Sequence, residues 1–305
     1  MAEISAKMVA DLRAKTGAGM MDCKKALIQT EGDFEKAVDW LREKGLAAAA
    51  KKASRIAAEG RVHAIVRDGA KLGVQVEVNC ETDFVANGDD FKGLCDKVGE
   101  VVLEKNPADV EALQVELGTL ITETVARIGE KISVRRFARY EVATSGVVHA
   151  YIHGGGRVGV LIEMSAANDA VAAHPETKQL AQELCLQIAS MKARWVDRSE
   201  VPAAELEHEK EIIKAQAINE GKKPEIAEKM VSGRIDKFFK ELCLVDQLWV
   251  KDDAKTIAGL VKEVSGKAGG ELKILHFVRW EKGEGLEKKS DDFAAEVAKA
   301  AGLNQ

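Results

Sequence analysis

Val62-His63-Ala64 is followed 86 positions later by the same three residues, Val148-His149-Ala150. The match extends well beyond this short stretch. At the same shift the chain aligns Gly73-Val74 with Gly159-Val160, Val76-Glu77 with Ile162-Glu163, Asp83 with Asp169, Val85-Ala86 with Val171-Ala172, and Leu94 with Leu180. A repeat at a fixed shift indicates that one structural unit occurs twice in the chain.

Each copy of the repeat begins with two apolar segments that have the alternation typical of strands. A glycine-containing turn joins them, Asp68-Gly69 in the first copy and Gly154-Gly155-Gly156 in the second. A helical segment follows, and a third apolar strand closes each unit, at 134–142 and at 272–280. The pattern predicts an α+β fold, with a duplicated core of antiparallel three-stranded sheets and helices packed on one face.

The residues before the repeat read as three short helices. Ser5 is placed to cap the first, and Asp33 to cap the third. The second is expected over about 21–30. Gly45 is predicted to end the third helix, since glycine favours the position after a helix terminus. The Ala- and Lys-rich stretch 46–58 then reads as a helical connector.

The second copy carries an insertion that the first lacks. Two charged helical patterns, 200–220 and 225–241, are separated by Gly221-Lys222-Lys223-Pro224, which predicts a projecting helical hairpin. Gly283-Glu284-Gly285 then precedes a final amphipathic helix, 290–301. Five units are predicted: a helical N-terminal domain with its connector (1–54), a first core subdomain (55–143), a second core subdomain (144–199 with 241–282), the inserted hairpin (200–240) and a C-terminal helical module (283–305).

Composition excludes several classes of function. The longest apolar runs fall short of the roughly 20 residues that a membrane helix requires, so no membrane association is expected. The five cysteines are far apart and form no C-x-x-C pair, which favours reduced thiols in a cytoplasmic protein over disulfides or a zinc site. The net charge of −5 supplies no concentrated basic surface, so direct nucleic-acid binding is not expected.

No catalytic, metal or cofactor site emerges from the motifs. His153-Gly154-Gly155-Gly156 matches an esterase oxyanion loop, but the chain has no G-x-S-x-G nucleophile, so a hairpin turn is the better interpretation. His149 and His153 share a strand face but lack a third ligand. Nucleotide-binding glycine motifs are also missing. An enzyme that uses Cys80 or the histidine pair stays as an alternative to a protein that works by contact.

The segment after the second strand of the first copy contains the main candidate site. Conventionally, Thr82 or Asp83 would cap the next helix and Phe84 would pack into the core. The equivalent stretch of the second copy, Asp169-Ala170-Val171, keeps the aspartate and the valine but replaces the phenylalanine. A packing requirement common to both copies would preserve a large side chain, so we expect Phe84 to contact something outside its own domain.

Two segments resemble a known family. Thr16-Gly17-Ala18-Gly19-Met20-Met21-Asp22-Cys23-Lys24-Lys25-Ala26-Leu27 resembles the N-terminal signature of bacterial elongation factor Ts, and Asn79-Cys80-Glu81-Thr82-Asp83-Phe84-Val85-Ala86 resembles its second signature. Further matches lie at 221–231 and 283–297. The resemblance therefore extends over nearly the whole chain, and a motif of a dozen consecutive residues is far more specific than the short patterns above.

The resemblance implies a ubiquitin-associated-like N-terminal domain and a guanine nucleotide exchange factor that binds elongation factor Tu and promotes GDP release. It implies that Asp83 and Phe84 disturb the partner's Mg²⁺ and phosphate site, while Thr82 and Val85 hold the turn. Other partner contacts implied by the resemblance are Arg13, Met20, Met21, His153 and Phe293.

Two questions stay open at the level of sequence. The chain is alternatively a helical adaptor that binds proteins through residues 1–45 and has no exchange activity. The oligomeric state is also open, and the inserted hairpin is a plausible surface for a homodimer or for a 2:2 complex with the partner.

Overall fold

The computed structural model describes residues 4–287 except Gly17, Asp68 and Lys222. The chain begins with three helices: α1 (Ala6–Thr16), α2 (Met20–Gln29) and α3 (Phe34–Lys52). Their small core includes the fully buried Leu12, Cys23 and Leu27. Both predicted caps are confirmed. The Ser5 hydroxyl accepts a hydrogen bond from the Met8 N–H (3.2 Å), and the Asp33 carboxylate accepts one from the Lys36 N–H (3.1 Å).

The first repeat contains three strands and four helices. They are β1 (Glu59–Arg67), β2 (Leu72–Cys80), α4 (Asp83–Asn87), α5 (Asp89–Lys105), α6 (Val110–Leu117), α7 (Leu120–Ile128) and β3 (Ser133–Glu141). The strands form an antiparallel sheet of order β1-β2-β3, with β2 buried along nearly its whole length. The predicted strands and their antiparallel pairing are therefore confirmed.

The second repeat begins with the same strands and helices as the first and ends with the same strand, but it has additional elements between them. Its elements are β4 (Gly146–His153), β5 (Val158–Ala166), α8 (Asp169–Ala173), α9 (Pro175–Met191), α10 (Ala203–Asn219), α11 (Pro224–Leu242), β6 (Leu248–Trp249), β7 (Asp252–Thr256), α12 (Ile257–Ala268) and β8 (Leu272–Glu281). The sheet order is β4-β5-β8. Helices α10 and α11 are the predicted hairpin, whereas the two-stranded β6-β7 sheet was not predicted.

The repeat is reproduced in the structure at the level of single residues. Helices α4 and α5 return as α8 and α9 at the same shift of 86. Each central strand also has one irregularity in its pairing with the last strand, between Glu77 and Val78 in the first sheet and between Glu163 and Met164 in the second. Because irregularities of this type re-aim a strand, their recurrence indicates that both sheets have the same local twist.

The last strands follow a larger shift, because the insertion precedes β8. Glu77 pairs with Arg136 and Glu163 pairs with His276, so β3 and β8 are related by 140 residues. By the same shift, Gly129 after α7 corresponds to Gly269 after α12, and both adopt the left-handed conformation that favours glycine. Helix α12 is therefore the counterpart of α7.

The two sheets pack against each other, and the helices α5 and α9 cover their outer faces. Gly73 and Gly159 allow the close approach. A methyl group at Gly73 would lie 2.5 Å from Val148 Cγ1, and one at Gly159 would lie 2.3 Å from Val62 Cγ1. Since both the glycines and the valines differ by 86 positions, the two contacts are equivalent. The helices of each repeat thus lie on one face, as predicted.

The prediction that Gly45 ends the third helix is wrong. Helix α3 continues through Gly45 to Lys52, so the expected connector is mostly the second half of this helix. Gly45 is buried where α3 crosses α7, and a methyl group there would lie 3.5 Å from Ala126 Cβ. The glycine is used for close helix packing instead of termination.

Several predictions are not tested by these elements. The final helix at 290–301, with Phe293, lies outside the described residues. The likeness of the bundle to a ubiquitin-associated domain and the five domain boundaries stay predictions. Among the described helices, none is both long enough and apolar enough to span a bilayer.

Candidate functional site

The candidate site is the turn from β2 into α4. Thr82 is the N-cap of α4, and its hydroxyl oxygen accepts a hydrogen bond from the Val85 N–H (3.3 Å). The capping role of Thr82 is therefore confirmed. Ala86 packs in the core, but the Phe84 side chain is 86% exposed. A phenylalanine that points into solvent from a capped helix end does not contribute to the core of its own domain.

A carboxylate from the other end of the first repeat holds this turn. Glu130 Oε2 accepts hydrogen bonds from the backbone N–H groups of Glu81 and Thr82, both at 3.0 Å. Its other oxygen, Oε1, accepts a hydrogen bond from the Thr82 hydroxyl at 2.6 Å. Sequence reasoning missed Glu130. Its only signal in the sequence is a carboxylate beside Gly129, which ends the preceding helix.

The contact is reciprocal. Glu81 Oε1 accepts a hydrogen bond from the Lys131 N–H (2.6 Å), and the Arg55 guanidinium lies 3.2 Å from the same oxygen. The Lys131 ammonium in turn donates to the Arg55 carbonyl (2.8 Å). Each carboxylate thus binds the backbone of the segment that carries the other. We call the segments 81–82 and 130–131, with these hydrogen bonds, the carboxylate clamp.

The second repeat has the cap without the clamp. Asn168 caps α8 by accepting a hydrogen bond from the Val171 N–H (3.0 Å), as Thr82 does in α4. The position equivalent to Glu130 is Gly270, where a methyl group would already lie 2.7 Å from Val171 Cγ2. The Ala167 N–H, equivalent to that of Glu81, instead donates to the Glu271 carbonyl oxygen (2.9 Å), so the carboxylate anchor belongs to the repeat with the exposed Phe84.

The two equivalent aspartates also differ. Asp169 accepts hydrogen bonds from the Ser145 hydroxyl (2.9 Å) and the Lys71 ammonium (3.4 Å), and these contacts lower the pKa of its carboxyl. Asp83 is exposed and has no hydrogen bond or ion pair from its side chain to any other residue that the structure describes. Its carboxylate is available to a partner, next to Phe84.

Comparison with known proteins identifies the family. A family profile described as Elongation factor TS matches residues 81–284, which include the clamp and the turn. The chain belongs to the elongation factor Ts family. It is 69% identical over 303 residues to "Elongation factor Ts" of Symbiobacterium thermophilum, covering 99% of this chain and 100% of the relative. It is 51% identical to the protein of that name from Clostridium perfringens (strain 13 / Type A), covering 98% and 99%.

Membership in the elongation factor Ts family assigns the chain to protein biosynthesis, as a translation elongation factor of the nucleotide-exchange class. The Clostridium acetobutylicum member is 47% identical, over 97% of this chain and 98% of its own. Because these matches cover both repeats and the inserted hairpin, the relationship concerns the whole chain and not one domain of it.

The other predicted contact residues of this elongation factor Ts chain lie on separate elements. Met20 and Met21, at the start of α2, are 53% and 63% exposed, and Arg13 is exposed on α1. His153, at the end of β4, is exposed, and its Nδ1 lies 2.9 Å from the Tyr151 hydroxyl. Phe293 lies outside the described residues. The four described side chains are accessible to a partner, and they do not line one common pocket.

The thiol alternative finds no support in the geometry. Cys80 is buried. Its burial is the main cause that raises the pKa of its thiol to about 12, and the nearby Glu130 charge is the second cause. Its Sγ donates to the Thr82 carbonyl oxygen at 3.2 Å. A thiol with so high a pKa stays protonated at neutral pH, and the thiolate is the nucleophilic form.

The histidine alternative is equally unsupported. His149 Nε2 lies 2.8 Å from the Gln182 side-chain oxygen, so this histidine has a structural partner on α9. The glycines that follow His153 form a turn in which Gly154, Gly155 and Gly156 all have positive φ, as the hairpin interpretation predicted. Within the described part of the chain, no group of three or more His, Cys, Asp or Glu side chains is arranged to hold a metal ion.

Proposed function

We propose that this chain is a guanine nucleotide exchange factor for elongation factor Tu and that Phe84 is its working side chain. The observation that carries the proposal is the 86% exposure of Phe84 on a turn fixed by the carboxylate clamp. While it is exposed to water, this side chain contributes no hydrophobic free energy. A partner that buried it would gain about 1.5–3 kcal/mol.

In the proposed mechanism, Phe84 inserts between side chains of the partner's GTPase domain near its Mg²⁺ site. Asp83 enters beside it and places a negative charge near a site that holds Mg²⁺ and phosphate. The insertion shifts the groups that hold the ion and the phosphates, and GDP leaves. Thr82 and Val85 contribute by fixing the direction of the turn, through the hydrogen bond that caps α4.

Phe84 cannot supply the required energy alone. Accelerating release about 10⁴-fold requires a barrier lowered by about 5.5 kcal/mol, which exceeds the value of one buried phenylalanine. We therefore assign the remaining binding energy to a wider surface. Its proposed members are Arg13, Met20, Met21, His153 and Phe293. Linkage then requires that a bound nucleotide weakens the binding of the factor as much as the factor weakens the binding of nucleotide.

The inserted hairpin is the proposed surface for self-association, as a homodimer or a 2:2 complex. Ile213, Ala217 and Ile235 fill the contact between α10 and α11. Ile218 and Ile226, close to the tip of the hairpin, are 49% and 48% exposed and are available to a second molecule. Sedimentation with and without the partner tests this assignment, and a monomer that forms a 1:1 complex would contradict it.

The experiment that tests the exchange mechanism is stopped-flow release of a fluorescent GDP analogue from elongation factor Tu. Phe84→Ala should reduce the maximal release rate by about tenfold or more, since it removes most of an apolar side chain whose burial is worth about 1.5–3 kcal/mol. Val115→Ala is the matched control, because Val115 is also an apolar side chain, is 78% exposed and lies on α6. Equal rates for Phe84→Ala and the unaltered protein would reject the proposal.

A further inference from the structure

We infer that Glu130 is a positioning residue for nucleotide exchange, acting through the carboxylate clamp on the turn that presents Phe84. The inference rests on the proposed function for its effect on rate, but its structural basis is independent of any partner. Glu130 lies 48 residues from Thr82 in the chain, in the loop that connects α7 to β3. Its three hydrogen bonds go to the backbone N–H groups of Glu81 and Thr82 and to the Thr82 hydroxyl, so we assign its effect to these two residues.

The turn needs an external anchor because its own helix is short. Helix α4 has five residues, and helices of this length are not stable by themselves. The N–H groups of Glu81 and Thr82 lie where β2 has ended and α4 has not yet begun, so neither element supplies their acceptor. Glu130 Oε2 accepts both hydrogen bonds at 3.0 Å. One carboxylate oxygen thus fixes two successive peptide planes.

The second carboxylate oxygen extends this control into α4. Glu130 Oε1 accepts the proton of the Thr82 hydroxyl at 2.6 Å. With its proton committed in that direction, the Thr82 oxygen presents a lone pair to the Val85 N–H at 3.3 Å. Glu130 therefore orients Thr82, and Thr82 orients the first turn of the helix that carries Phe84. Each step is a hydrogen bond with a defined donor and acceptor.

The second repeat serves as an internal comparison. It has the same strand, turn and helix, and it has a capping side chain in Asn168, but it has Gly270 at the position of Glu130 and Ala170 at the position of Phe84. The turn of the second repeat forms with this cap and one backbone hydrogen bond, from the Ala167 N–H to the Glu271 carbonyl oxygen (2.9 Å), and without a carboxylate. The clamp is present only where a large side chain projects from it, so we assign the clamp to the orientation of Phe84 and not to the formation of the fold.

Preorganisation explains why such an anchor would affect rate. If the turn were mobile, part of the binding energy gained by Phe84 would be used to order the turn on insertion. The lost binding energy would raise the free energy of the strained complex from which GDP leaves, and so slow its release. The initial grip of the factor on its partner, which depends on other surfaces, would change little.

The first test compares two substitutions of Glu130 in the full chain. Glu130→Ala removes all three hydrogen bonds, whereas Glu130→Gln keeps one oxygen that can accept both backbone N–H groups. We expect Glu130→Ala to lower the maximal rate of GDP release about tenfold and Glu130→Gln only about threefold or less. The factor concentration at half-maximal rate should change less than about twofold for both. A Glu130→Ala rate within about twofold of the unaltered protein would overturn the inference, and so would equal losses in the two variants.

The second test is a double-substitution cycle with Phe84. If Glu130 acts through Phe84, Glu130→Ala combined with Phe84→Ala should release GDP as fast as Phe84→Ala alone, since no side chain is left to orient. Fold reductions that multiply would show that Glu130 acts by another route and would overturn the inference. If Phe84→Ala alone leaves the rate unchanged, the proposed function fails instead.

The third test needs no partner. Amide hydrogen exchange of the free protein should show that Glu130→Ala raises the exchange rates of Glu81 and Thr82 by about tenfold or more, while the equivalent residues Ala167 and Asn168 keep theirs. Unchanged protection of Glu81 and Thr82 would overturn the inference regardless of the rates of GDP release. Glu130→Gln extends the measurement to a variant that keeps the fold, if Glu130→Ala unfolds.

Discussion

Phe84 and Ala170 occupy equivalent positions in two copies of one structural unit, and the comparison between them separates function from folding at the scale of a residue. Both follow a capping side chain and both precede a valine. What differs is the environment: Phe84 faces solvent beside Asp83, whose side chain has no hydrogen bond or ion pair within the described part of the chain, whereas Asp169 beside Ala170 is bound to Ser145 and Lys71. The second repeat thus provides an internal control for the residues of this turn.

The buried thiols predict how stability depends on pH. Burial raises the pKa of the Cys95 thiol from 9.0 to about 12. Between these values the unfolded chain has lost the thiol proton while the folded chain keeps it, so the free energy of unfolding falls as pH rises above about 9. The slope is about 1.4 kcal/mol per pH unit for each such thiol. Below pH 9 this contribution is fully present and constant.

Urea unfolding of the unaltered protein and of Cys95→Ala at pH 7.5 and pH 10, buffered in about the same ionic strength, measures the contribution of that thiol. Cys95→Ala is expected to lose less stability between the two pH values than the unaltered protein. Parallel losses would show that the thiol ionises equally in the folded and unfolded states.

The residue-level predictions succeeded where the interaction was local. Asp33 and Thr82 cap helices that begin one residue later, so composition and spacing were sufficient to find them. Glu130 was missed because its partners are 48 and 49 residues away, and only the folding of the repeat brings them together. The exposure of Phe84 was predicted from the comparison of the two copies. This comparison is also not local, because the equivalent residue is 86 positions away.

At the scale of elements, α3 shows how tertiary packing overrides a local signal. Glycine lowers the stability of an isolated helix, and Gly45 was therefore expected to end this one. In the structure, α3 continues past Gly45 because the absent side chain allows α3 to cross α7 closely, near Ala126. The same crossing places the N-terminal bundle against α7, the helix that leads to Glu130.

The spacing at this crossing predicts that Gly45→Ala stabilises the protein. A methyl group would lie 3.5 Å from Ala126 Cβ and 3.6 Å from the Thr122 carbonyl oxygen, which are ordinary contact distances. The gain in helix propensity, about 0.5–1 kcal/mol, should therefore be retained. Urea denaturation monitored by circular dichroism measures the change.

Gly99→Ala is the matched control for this substitution. Gly99 also lies within a helix, α5, but a methyl group there would lie 2.8 Å from Ile65 Cδ1. The same gain in propensity should be reduced or reversed by this contact. A loss of stability in Gly45→Ala equal to that in Gly99→Ala would mean that the α3–α7 crossing does not tolerate even one carbon atom.

At the scale of the whole molecule, the repeat predicts the two sheets but not how they meet. Internal similarity at a shift of 86 identified the first two strands of each sheet, and an apolar segment at the end of each copy supplied the third. The face-to-face packing depends on contacts between residues that are far apart in sequence, and they are arranged with approximate two-fold symmetry. The Val62 N–H donates to the Gly156 carbonyl (2.8 Å), and the Val148 N–H donates to the Ala70 carbonyl (2.7 Å).

The symmetric glycine–valine contacts between the sheets predict a specific pattern of coupling. Gly159→Ala would place a methyl group 2.3 Å from Val62 Cγ1, so it should reduce the free energy of unfolding by about 1–3 kcal/mol. Val62→Ala removes the nearest clashing atom and leaves Gln75 Oε1, which would lie 2.8 Å from the methyl group. The double variant should therefore lose less stability than the sum of the two single variants, with a coupling energy of about 1 kcal/mol or more.

The symmetry supplies both a second instance and a negative control for this coupling. Gly73→Ala should couple in the same way to Val148→Ala, because a methyl group at Gly73 would lie 2.5 Å from Val148 Cγ1. The crossed pair, Gly159→Ala with Val148→Ala, should be closer to additive, since no atom of Val148 is among the nearest neighbours of Gly159. Urea unfolding of the single and double variants measures all three couplings. Additivity in the matched pairs would mean that the sheets separate to accommodate the methyl group, and that neither valine fixes the distance between the two repeats.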